Sequence, residues 1–105
     1  MSSTDVRAEY ERAQVFFEAG RPADAVGLLD RVLEAAPETT AARELRARAL
    51  FASAQLGRAE QAVRELLDRD PSDAWARVAL ARTLERQGRP DEAAAQWRIA
   101  DALGA

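Results

Sequence analysis

Apolar residues recur along this chain at helical spacing, in stretches cut off by glycine and proline. Periodicity and punctuation together predict six helices. The first spans roughly Asp5 to Ala19, with Thr4 or Asp5 able to cap it. Gly20 suits the left-handed position past its end, and Pro22 the first turn of the next helix, where no N–H is needed. The second helix runs from Pro22 to about Ala35, with Pro37 beyond it. The third spans about Glu38 to Leu56, ended by Gly57, which would make it the longest. The fourth covers about Ala59 to Arg69, the fifth about Ser72 to Gln87, and the last Pro90 to about Leu103. Ser72 or Asp73 can cap the fifth. Connections this short make consecutive helices antiparallel neighbours.

The pattern repeats. Pro37 and Pro71 stand 34 residues apart, and Gly20 and Gly88 stand 68 apart. The phrase Gly20-Arg21-Pro22-Ala23-Asp24-Ala25 returns as Gly88-Arg89-Pro90-Asp91-Glu92-Ala93, with a degenerate copy from Gly57 to Ala62 between them. A helical pattern with this period indicates stacked helical hairpins. The middle repeat looks irregular. Gly57 arrives three residues late while Pro71 is on time, so the third helix is expected to gain about one turn and protrude by about 5 Å.

These hairpins resemble tetratricopeptide repeats over nearly the whole chain. With repeats counted from Val6, Thr40 and Ala74, small residues expected in that family fall at Ala13, Ala25, Ala47, Ala81, Ala93 and Ala100. Large apolar residues fall at Phe16, Leu29, Leu50, Leu80, Leu84 and Trp97, and the family's turn and proline positions at Gly20, Gly88 and Pro37. Arg12 departs from the pattern, standing where a large apolar residue is usual. The resemblance implies an all-α, right-handed superhelical array of three antiparallel helix-turn-helix repeats, at residues 6–39, 40–73 and 74–105 of a single domain. Small side chains let paired helices approach closely while Leu, Phe and Trp fill the flanking grooves.

Composition narrows the function. The chain has 105 residues, 25 of them Ala, and neither Cys nor His. Disulfides, thiolate metal sites and the commonest general base are thereby excluded. All 15 basic residues are Arg, which reads as GC-rich, bacterial coding; selection of Arg for carboxylate recognition is the alternative. A net charge of −3 argues against nucleic acid. No signal-like or membrane-spanning apolar run is visible, so a cytoplasmic location is expected.

Candidate catalytic groups do not converge. Glu9 with Glu11 and Asp91 with Glu92 diverge around a helix, and Glu60, Glu65 and Asp68 read as a solvated face. No phosphate-binding or nucleophile motif is present, so no cofactor and no enzymatic activity are expected. Arg82, Arg86 and Arg89 fall at i, i+4 and i+7 and suggest a basic strip, or a solvated stripe balanced by Glu44 and Glu85. In the resembled family a concave groove binds partner peptides. Its positions here include Tyr10, Phe17, Arg48, Phe51, Trp75, Val78, Arg82 and Arg86. That mixture departs from the family's Lys/Asn carboxylate clamp and suits an apolar or helical segment. A register shifted by one would instead put some of these aromatics in the core. The expected function is a non-catalytic module that binds a protein or peptide, with no nucleic acid or membrane partner. The alternative is a homodimer formed through the C-terminal hairpin, where Trp97 should pack inward and Ile99 and Leu103 lie near an uncovered face.

Overall fold

The structure is a computed structural model that describes residues 5–105. Among these are six helices and no strand: α1 (Val6–Glu18), α2 (Pro22–Ala35), α3 (Thr40–Ala52), α4 (Leu56–Arg69), α5 (Ala74–Arg86) and α6 (Pro90–Ala102). The first helix of each repeat begins at the same place. Asp5 accepts a hydrogen bond from the Ala8 amide at 3.1 Å, and Asp73 accepts one from the Ala76 amide at 3.0 Å. These satisfy an orphan donor of the first turn. Thr39 holds the equivalent place in α3 without a side-chain cap bond. The alternative cap Thr4 lies outside the described residues.

The same helices also end on one backbone device. The amides of Arg21, Gln55 and Arg89 donate to the carbonyls of Phe16, Leu50 and Leu84, each at 2.9 Å. Inside each, Gly20, Ala54 and Gly88 donate to Phe17, Phe51 and Glu85 at 3.0 to 3.1 Å. This closure needs a left-handed residue at the inner position. Gly20, Ala54 and Gly88 have φ of 77°, 60° and 75°.

Repeat two is therefore regular, contrary to the expectation from Gly57. α3 ends at Ala52 and has 13 residues, while α2 and α4 have 14, so α3 is not the longest helix and has gained no turn. The left-handed slot is filled by an alanine, and the displaced glycine sits in the first turn of α4. The true counterparts of Arg21, Pro22 and Asp24 in this repeat are Gln55, Leu56 and Arg58.

The chain forms two compact units, meeting in sequence between Gln55 and Leu56. In the first, α2 packs against both α1 and α3. Its buried residues include Ala13, Ala25, Leu29, Val32, Ala47 and Leu50. The glycine-arginine-proline phrase makes local sense here. Arg21, at the head of α2, donates from Nε to Asp24 Oδ2 at 2.8 Å and lies 4.8 Å over the Phe16 ring. An acid in the first turn also complements the helix dipole.

In the second unit, α5 packs against both α4 and α6. Val63, Leu66, Leu80, Ala81, Leu84, Ala93 and Ala100 are buried. Buried Thr83 satisfies its hydroxyl on the Ala79 carbonyl at 2.8 Å. Arg89 repeats the role of Arg21 and extends it. It grips Glu92 with two bonds of 2.6 and 2.8 Å and reaches Glu60 Oε1 at 2.7 Å. Two sequence expectations change as a result. Glu60 is not on a solvated face, for its side chain is 17% exposed and also accepts from Arg64 at 3.0 Å. Nor does Arg89 share a strip with Arg82 and Arg86, because the chain reverses at Gly88 before reaching it.

Candidate functional site

The first unit carries a cavity of about 330 Å³. One wall comes from α1: Tyr10, Gln14, Phe17 and Glu18, at i, i+4, i+7 and i+8. The other comes from α3: Ala41, Glu44, Leu45 and Arg48, at i, i+3, i+4 and i+7. Each set is a single stripe on its helix. The lining mixes two aromatic rings and two aliphatic side chains with an amide, two carboxylates and one guanidinium. Arg48 Nη2 donates to Glu44 Oε1 at 3.0 Å within α3. Glu18 is exposed and is the last residue of α1, a turn that holds no basic residue.

Of the residues named from sequence as a partner-binding groove, Tyr10, Phe17 and Arg48 line this cavity together. Phe51 is half-buried on α3 and is not in the lining. Trp75, Val78, Arg82 and Arg86 lie on α5 in the second unit. There Trp75 and Val78 are half-buried, and Arg82 and Arg86 are exposed one turn apart. Leu45 also lines the cavity, at a position that sequence alone does not assign to the groove. An apolar residue beside a groove position reads as core, and only its half-buried state and place in the lining reveal it.

The strongest electrostatic perturbation lies away from the cavity. Burial pushes the Glu60 carboxyl up, but hydrogen bonds from Arg64, Arg89 and Gln87 outweigh it and hold the group below its ordinary range. The hydrogen bond from Arg89 likewise lowers Glu92. Arg89 is raised by Glu92 first and Glu60 second. This network ties α4 to the start of α6 and is structural in character. Among the described residues, no group of three His, Cys, Asp or Glu side chains converges to hold a metal. No described helix is long and apolar enough to cross a membrane.

A family model for the tetratricopeptide repeat matches residues 10–74 and again 47–103. The chain belongs to the tetratricopeptide repeat family. The TPR repeat-containing thioredoxin TTL4 of Arabidopsis thaliana is 42% identical over 82 residues, which are 75% of this chain and 12% of that protein. Among solved structures, MamA 41-end from Desulfovibrio magneticus RS-1 superposes with a TM-score of 0.89 at 23% identity, covering 96% of this chain and 57% of that one. A crystal structure of MamA gives 0.86 at 17% identity, covering 94% and 58%. The TPR chain thus spans little more than half of those structures and a small part of the plant protein. The likeness to MamA speaks for the fold alone: an all-α TPR array.

Proposed function

We propose that this TPR chain is a non-catalytic interaction module that binds a peptide or helical segment of a partner protein in its A-helix groove. The cavity between α1 and α3 carries this reading, because rings and charges from the two helices line one concavity there. Membership of a family whose members typically bind other proteins supports it. The repeats at 6–39, 40–73 and 74–105 then act as one binding domain in the cytoplasm. Tyr10, Phe17, Phe51, Trp75 and Val78 supply apolar contacts, and Arg48, Arg82 and Arg86 supply polar ones. Binding energy concentrates on aromatic anchors rather than on rim charges.

The test is capture of a partner from native lysate, identified by mass spectrometry, alongside thermal melts. Phe17→Ala, Phe51→Ala and Trp75→Ala each lose capture, by about 2 kcal/mol or more of binding, while melting close to the parent. Arg82→Ala and Arg86→Ala weaken capture less and alter its salt dependence. Variants that melt with the parent and still capture the partner would move the site to another face. Loss of fold with loss of capture would make the ring a core residue.

A second reading rests on the last helix. Ile99 and Leu103 are 37% and 39% exposed there, while Trp97 is half-buried with its Nε1 donating to Glu85 Oε2 at 3.0 Å. An uncovered apolar face favours pairing of two copies.

A further inference from the structure

We infer that the cavity of the first unit receives a cationic side chain, Arg or Lys, carried by an apolar segment of the partner protein; this rests on the groove reading above. Of the three charged groups in the lining, Glu44 and Arg48 already neutralise each other at 3.0 Å. Glu18 is left as the net charge of the wall. It stands at the carbonyl end of α1, where the helix dipole adds to its negative potential and where a carboxylate is unfavourable for the helix itself. The remaining lining supplies what the rest of an Arg or Lys side chain needs. Tyr10 and Phe17 offer π-systems to a cation, and Ala41 and Leu45 offer apolar surface to its methylenes. The same unit already uses this chemistry, with Arg21 4.8 Å over the Phe16 ring. A volume of about 330 Å³ sits at the low end for ligand pockets, about 300 to 1,000 Å³, and suits one long side chain with a neighbour. An acidic side chain would face Glu18 and compete with Glu44 for Arg48.

The test selects a random 12-residue peptide display library on the full chain. Enriched sequences should carry Arg or Lys beside apolar residues. One enriched peptide is then compared with a copy whose Arg is replaced by citrulline, which keeps the shape and removes the charge. The citrulline peptide should bind about tenfold more weakly. Glu18→Gln should weaken the arginine peptide by a similar factor and leave the citrulline peptide unchanged. Acidic or uncharged selections, an empty selection, or equal affinities for the two peptides overturn the inference. Phe17→Ala separates it from the groove reading. Peptides that bind Phe17→Ala as tightly as the parent overturn both. Peptides that lose Phe17→Ala but show no preference for a cation overturn only the charge assignment.

Discussion

Ala54 is the residue on which the register of the whole chain turns. It closes α3 with a φ of 60°, a conformation that costs an L-residue about 1–2 kcal/mol and that glycine adopts freely. Three residues on, Gly57 occupies the first turn of α4, where an added Cβ would meet nothing within 4 Å. The two residues are, in effect, in each other's preferred places. Ala54→Gly should stabilise the protein by about 1 kcal/mol through relief of strain. Gly57→Ala should stabilise it by about 0.5–1 kcal/mol through a less flexible unfolded chain. Urea titration of both variants checks this. Destabilisation by Ala54→Gly would mean that the closure of α3 is not left-handed.

At the scale of elements, close packing and charge clamps do different work. Ala81 and Ala93, on α5 and α6, are 0% and 1% exposed. Ala81→Leu and Ala93→Leu should each overpack the second unit and cost about 1–3 kcal/mol, read as a drop in melting temperature. The clamp of Arg89 on Glu60 and Glu92 answers instead to pH. Both carboxyls sit below their ordinary value of 4.5 in the folded chain, so the unfolded chain binds more protons in acid. Their contribution is present above that value and is lost as pH falls through the lower folded values. Melting temperature should therefore fall on acidification below about pH 5, and fall less in Arg89→Gln. These elements also show what sequence could and could not disclose. α2 was legible to the residue, because Gly20 and Pro22 mark its start and Pro37 lies past its end. The α3–α4 joint was not, because hydrogen bonds rather than a glycine define it. The stripe of Tyr10, Phe17 and Arg48 follows from helical spacing. The neutralisation of Arg48 by Glu44 follows only from the structure, since a spacing of i, i+4 permits the bond without requiring it.

For the whole molecule, the self-association reading predicts a sedimentation coefficient that rises with concentration, and that Ile99→Ser with Leu103→Ser abolishes the rise. A single species at every concentration removes that reading and leaves the groove as the sole proposed site. The recurrence of backbone closures at residues 20, 54 and 88 has a consequence for the history of such chains. The closures return after the same 34 residues, so a duplicated stretch of that length meets its neighbours with the same backbone joint already in place. Growth by copying needs no newly invented joint. One copy can lack the glycine, as at Ala54, while the same 34-residue phase is kept by the copies on either side.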